Sequence, residues 1–152
     1  MSEPLTVLAP IGGRALPLAE VPDPVFAEAM VGPGAAIEPD LGMSVAVSPV
    51  AGRIVKLHPH AYVVVTESGR GVLVHLGIDT VELKGAGFEL LAAEGDEVAA
   101  GTPVITWDTA AVAAGGRSPI CPVIALDAPA DAVRTFAESG RVEAGSELFA
   151  WQ

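Results

Sequence analysis

Val72-Leu73-Val74-His75-Leu76-Gly77-Ile78-Asp79-Thr80-Val81 is the stretch whose reading decides the fold. It sets one histidine inside an apolar run that alternates like a strand, with a glycine and an acidic residue at short spacing behind it. A second histidine, His60, opens another apolar run, Ala61-Tyr62-Val63-Val64-Val65. Two histidines on two strands can face each other across one site. A strand supplies the stiff scaffold and partial desolvation that a nucleophile or metal ligand needs.

Composition agrees with a chain of strands. Apolar residues make up 51% of the sequence but aromatic residues only 5%, so the core is built mainly from Val, Ala, Leu and Ile. Gly (17) and Pro (13) are scattered throughout, which favours short strands joined by tight turns over a helical bundle. Nineteen acidic residues against 8 basic ones give a net charge of −11. Such a surface repels phosphate backbones and anionic headgroups, so nucleic acid is not an expected partner. One cysteine, Cys121, allows no internal disulfide and fits a reducing cytosol; it is expected to be a small core residue. Neither a signal peptide nor a transmembrane run is read, and a cytoplasmic protein is expected.

The chain repeats itself. Pro10-Ile11-Gly12-Gly13-Arg14 resembles Pro49-Val50-Ala51-Gly52-Arg53, and the stretch from Glu94 to Trp107 resembles that from Glu138 to Trp151. Alternation and β-branched enrichment predict strands over 5–9, 34–37, 44–47, 52–57, 61–66, 71–76, 104–107, 123–126 and 147–151. Three helical pieces are expected, at 24–30 behind a proline, at 109–114 before Gly115-Gly116, and at 131–139 before Gly140. The reading is a single domain over 1–152. It is all-β, an antiparallel β-sandwich or flattened barrel of duplicated hybrid motifs with a few short helices.

Several blocks fit one known family in order: Val21-Pro22-Asp23-Pro24-Val25-Phe26-Ala27-Glu28, Val31-Gly32-Pro33-Gly34, Pro49-Val50-Ala51-Gly52, His60-Ala61, the run from Val74 to Phe88, and Gly95-Asp96-Glu97-Val98. The chain resembles the glucose-type IIA component of the bacterial phosphoenolpyruvate-dependent sugar phosphotransferase system. The resemblance implies a single IIA domain acting as a phosphohistidine carrier, a phosphotransferase component. His75 would accept a phosphoryl group from HPr and pass it to a cysteine of a IIB domain, coupled to sugar uptake through IIC. His60 would be the supporting histidine. The resemblance also implies an apolar docking rim of Val25, Phe26, Met30, Val31 and Leu73, and leaves regulatory protein targets open. It requires no cofactor. The chain departs from the family at Lys56-Leu57-His58-Pro59, where a threonine usually stands near the second histidine.

Read as chemistry, a neutral imidazole at His75 is a competent nucleophile near pH 7. His60 would donate to phosphoryl oxygens and offset their charge. Gly77 would let a partner backbone come close. Asp79 is a candidate to orient an imidazole or to repel phosphate, and equally a turn carboxylate bonding nearby backbone. His58 is expected to be exposed. The rival reading is a zinc hydrolase: His75-x-Gly77-x-Asp79 and His58-x-His60 resemble the ligand set of lysostaphin-type metallopeptidases, although there the two motifs come in the opposite order. Adventitious or regulatory zinc on His60 and His75, completed by a partner, is a weaker variant.

Overall fold

The computed structural model describes residues 3–136 and 139–152. Fourteen strands are described, in chain order β1 (Leu5–Leu8), β2 (Gly13–Pro17), β3 (Gly34–Pro39), β4 (Met43–Val47), β5 (Gly52–His58), β6 (Ala61–Val65), β7 (Gly71–His75), β8 (Phe88–Leu90), β9 (Glu97–Val98), β10 (Pro103–Asp108), β11 (Cys121–Ala125), β12 (Val133–Thr135), β13 (Gly140–Val142) and β14 (Glu147–Trp151). Two short helices, α1 (Pro24–Ala27) and α2 (Thr109–Ala114), and single 3-10 turns at Leu18–Glu20 and Thr80–Leu83 complete the described elements. None of the described helices is long and apolar enough to cross a membrane.

All the described pairing is antiparallel. One eight-stranded sheet runs β13-β2-β3-β11-β7-β6-β5-β9, and two three-stranded sheets run β1-β14-β12 and β4-β10-β8. The architecture is the expected antiparallel β class. No described sheet closes on itself, so the barrel alternative gives way to open sheets packed face to face.

The sequence repeat is a structural one. About the β11–β7 seam the large sheet maps onto itself, β2 onto β5, β3 onto β6 and β13 onto β9, while the two small sheets exchange. Gly13 and Gly52 start equivalent strands for the same steric reason. A Cβ on Gly13 would lie 2.1 Å from the Glu38 carbonyl oxygen, and one on Gly52 would lie 2.2 Å from that of Val65. The connections match as well: Ala9 N–H donates to Ser146 O and Ala9 O accepts from Gly145 N–H, as Ser48 N–H donates to Thr102 O and Ser48 O accepts from Gly101 N–H.

Side-chain alternation divides the large sheet between two cores. Val72, Val74, Tyr62, Val64, Ile37 and Val123 face the main core, which also holds Trp107, Phe149 and Trp151 from the small sheets. Tyr62 Oη donates to Val47 O at 2.7 Å, tying the large sheet to β4. The opposite parity of the same strands, Leu16, Ala36, Leu73 and Ile124, packs with Leu18, Val21 and Phe26 in a smaller cluster. Residues 18–31 thus close over the outer face of the sheet beside His75. Burial of this kind contributes about 1.5–3 kcal/mol for each large side chain, which fixes that segment firmly.

Two helix expectations change. The helix at 24–30 ends at Ala27, and Ala29 turns left-handed (φ 54°). The helix expected at 131–139 is not formed over its described residues: Val133–Thr135 is strand β12, with Val133 opposite Trp151 and Thr135 opposite Phe149. The β-branched pair gains more from the aromatic edge of β14 than a short isolated helix could gain alone. Ala137 and Glu138, in the same expected helix, lie outside the described residues. The helix at 109–114 forms as expected, with the Asp108 carboxylate accepting from Ala111 N–H at its N-cap.

Candidate functional site

His75 ends β7, and its strand neighbours Val72, Val74 and Leu76 are buried in the main core. By the pleat, Leu73 and His75 point to the opposite face. His60 sits one residue before β6, in the turn at Pro59-His60. The β6–β7 ladder pairs Ala61 with His75, and Leu76 N–H then donates to the His60 carbonyl at 2.7 Å. The alternating apolar runs on either side therefore bring the two histidines together: their rings stand nearly edge to face, with centroids 5.3 Å apart.

Nδ1 of His75 lies 2.6 Å from the Gly77 carbonyl oxygen. A carbonyl only accepts, so Nδ1 carries the proton and Nε2 keeps the free lone pair. Gly77 is buried and left-handed (φ 83°), and a Cβ there would meet Thr80 Cγ2 at 2.6 Å. The expectation that Gly77 admits a partner backbone is therefore corrected. Its missing side chain serves the packing of the turn that aims its own carbonyl at His75.

Phe26 is buried and packs against His75, its ring centroid 5.2 Å away. Val25 and Met30 are exposed, while Val31 and Leu73 are half-buried against the small cluster beneath. His58 is exposed and stacks on His60 at 5.7 Å. The imidazole of His60 has no hydrogen-bond partner among the described residues, and it packs against the rings of His58 and His75. Asp79 is exposed and left-handed (φ 58°), and its carboxylate caps no N–H of the 3-10 turn it precedes.

Burial pushes the His75 pKa below the usual 6.5. The Gly77 carbonyl and the charges of Asp23 and Asp79 pull upward but do not offset it. His60 is lowered too, by burial first and then by repulsion from His75 and His58. Both rings are thus neutral near pH 7. Asp23 is the neighbour that residue-level reading passed over. Its carboxylate caps α1 by accepting from Val25 N–H at 2.9 Å, and the signal was the Asp-Pro pair at a helix start. Cys121 is fully buried, and burial pushes its thiol far up, as a core residue requires.

No group of three or more His, Cys, Asp or Glu side chains among the described residues is placed to hold a metal ion. The two motifs of the hydrolase reading thus do not assemble into a ligand set.

Open antiparallel sheets from a duplicated unit, with two neutral imidazoles facing each other at the end of a central strand, define a histidine-centred β scaffold. The chain belongs to the phosphoenolpyruvate-dependent sugar phosphotransferase system EIIA 1 family, which residues 5–130 match. It is 42% identical over 122 residues to a PTS system glucose-specific EIIA component of Oceanobacillus iheyensis, covering 79% of this chain and 73% of that one. It is 38% identical over 142 residues to a PTS system N-acetylglucosamine-specific EIICBA component of Klebsiella pneumoniae, covering 92% of this chain but only 22% of that longer protein. Among solved structures, glucose permease IIA from Mycoplasma capricolum superposes with a TM-score of 0.90 at 35% identity, over 99% of this chain and 97% of that one. The chain is accordingly a phosphotransferase component of a sugar phosphotransferase system.

Proposed function

We propose that His75 accepts a phosphoryl group from HPr on Nε2 and passes it to the cysteine of a IIB domain. The observation that carries this reading is the Nδ1–Gly77 contact at 2.6 Å, which leaves Nε2 as the nucleophilic atom of a neutral ring. In the first step the donor's bond to phosphorus breaks as the Nε2–phosphorus bond forms. In the second, the cysteine thiolate forms a sulfur–phosphorus bond and Nε2 leaves with its lone pair. Phosphoryl transfer of this sort is mainly positioning and charge stabilisation, which a fixed pair of imidazoles provides.

His60 is the charge-stabilising partner, donating to the phosphoryl oxygens once they occupy the space between the rings. Phe26 excludes water from one side of His75. Val25 and Met30 are the exposed apolar contacts for the partner proteins, with Val31 and Leu73 at their base, and Asp23 and Asp79 offer charge to basic groups on those partners. The EIICBA name of the Klebsiella relative supports a IIB acceptor and a IIC permease; N-acetylglucosamine is the sugar in that name, and glucose the sugar in the name of the Oceanobacillus EIIA relative. A zinc ion on His60 and His75 would need its third ligand from a partner. Transfer of labelled phosphate from phospho-HPr, followed with purified IIB domains of both sugar classes, tests the reading. Label is expected to pass through the chain to at least one IIB; label that never leaves HPr would overturn it.

A further inference from the structure

We infer that Thr80 is a positioning residue of the His75 site, acting through the turn that carries the Gly77 carbonyl. The inference rests on the phosphocarrier reading for its kinetic consequence and on geometry for the rest.

The turn is not one the chain holds by itself. Gly77 (φ 83°) and Asp79 (φ 58°) are both left-handed, and a non-glycine residue in that region is strained unless its surroundings impose it. Thr80 supplies two of those surroundings. Its hydroxyl, fully buried, donates to Leu76 O at 2.7 Å and closes the turn from 76 to 80. Its methyl fills the space beside Gly77 where a Cβ would otherwise stand. The far side is closed by the segment after α2: Ile78 N–H donates to Ser118 O at 2.9 Å, and that same oxygen crowds Gly77. Arg117 then reaches Glu82 Oε1 at 3.2 Å, joining this segment to the 3-10 turn that Thr80 begins.

Leu76 makes the arrangement more than a local staple. Its carbonyl receives the Thr80 hydroxyl, while its N–H donates to the His60 carbonyl at 2.7 Å. One peptide unit on either side of Leu76 therefore links the Thr80 hydroxyl to the backbone of both histidines. A threonine five residues beyond the nucleophile sets the direction of the Gly77 acceptor, and hence which nitrogen of His75 is free.

The conservative series Thr80→Ser, Thr80→Val and Thr80→Ala separates this role from simple packing. Two quantities are read on the full chain: the His75 tautomer by nitrogen-15 NMR of the imidazole, and the rate of phosphoryl acceptance from HPr. The wild type should show protonated Nδ1. Thr80→Ser keeps the hydroxyl and should keep that tautomer and rate. Thr80→Val should lose the single tautomer and slow acceptance about ten- to hundredfold, the range expected when a reacting group is held loosely. Thr80→Ala removes the hydroxyl without new bulk, and gives the same reading should the valine variant fail to fold. A folded Thr80→Val or Thr80→Ala that keeps protonated Nδ1 would overturn the inference, as would a Thr80→Ser as impaired as either. A wild type that shows the tautomer yet accepts no phosphate would instead count against the carrier reading, because the NMR signal needs no phosphate.

Discussion

His60 and His75 meet nearly edge to face, 5.3 Å between ring centroids, although 14 positions of sequence separate them, because a β6–β7 ladder places Ala61 opposite His75. Among the described residues only His75 has its Nδ1 fixed by a backbone carbonyl. That asymmetry assigns nucleophile and helper, and His60→Gln checks it. The variant should accept a phosphoryl group from HPr and donate it to IIB about a hundredfold more slowly, the usual cost of losing one donor to a transition-state charge. Separate rate measurements for the two half-reactions test this; unchanged donation would contradict the role.

The pH dependence of stability carries a signature of the pair. Both native pKa values lie below 6.5, the value near which the unfolded chain titrates. Just below 6.5 the unfolded chain therefore binds more protons than the native one, so stability falls as pH drops through 6.5 and levels off below the native values. Replacing both histidines with glutamine should remove that component. Denaturant titrations across this range should show a shallower loss in the double variant than in the wild type. Equal slopes would mean that the histidines are not buried neutral.

Gly77→Ala meets two penalties at once, a left-handed backbone (φ 83°) and a Cβ 2.6 Å from Thr80 Cγ2. A loss of about 1–3 kcal/mol is expected from the strain alone. Phosphoryl acceptance should fall with it because the Gly77 carbonyl must move. Chemical denaturation and an acceptance assay on the folded fraction check both effects. Gly69→Ala (φ 89°), where a Cβ would meet nothing within 4 Å, is the control and should leave acceptance unchanged.

Arg70 grips both chain ends, donating to Trp151 O at 3.0 Å and Glu3 O at 2.9 Å while its guanidinium lies over the Trp151 ring. Arg70→Met should cost about 1–3 kcal/mol, as expected for lost hydrogen bonds from a charged, part-buried group. Phosphoryl acceptance, at the other end of β7, should stay as in the wild type. A lower denaturation midpoint with unchanged transfer is the expected result.

Much of this was legible in the sequence where burial is one-sided. Val72, Leu73, Val74 and His75 alternate because one parity faces the main core and the other the small cluster under Phe26. The strands that escaped reading are short or carry little alternation: Gly13–Pro17, Phe88–Leu90, Glu97–Val98, Val133–Thr135 and Gly140–Val142. The repeat held the clue for the first, since Gly13 aligns with Gly52 and Gly52 already began an expected strand. Asp131 and Gly140 look like helix ends, yet the residues between them answer to Trp151 and Phe149, which no local pattern reveals. At the site, both histidines were legible from their runs. The Gly77 acceptor was not, because its turn is set in part by Ser118, distant in sequence; for Asp23 the Asp-Pro pair marked a helix cap, but not its nearness to His75, which the packing of residues 18–31 over the sheet decides. Duplication did not produce a second site: the registers carry His75, opposite Ala61, onto Ile124, opposite Gly34, which is buried and apolar.

The most direct test of the central claim is the intact mass of the chain after incubation with phosphoenolpyruvate, enzyme I and HPr at neutral pH, without acid. The wild type should gain one phosphoryl group and His75→Ala none. A gain retained in His75→Ala, or none in the wild type with donors shown to be active, would contradict His75 as the phosphoryl carrier.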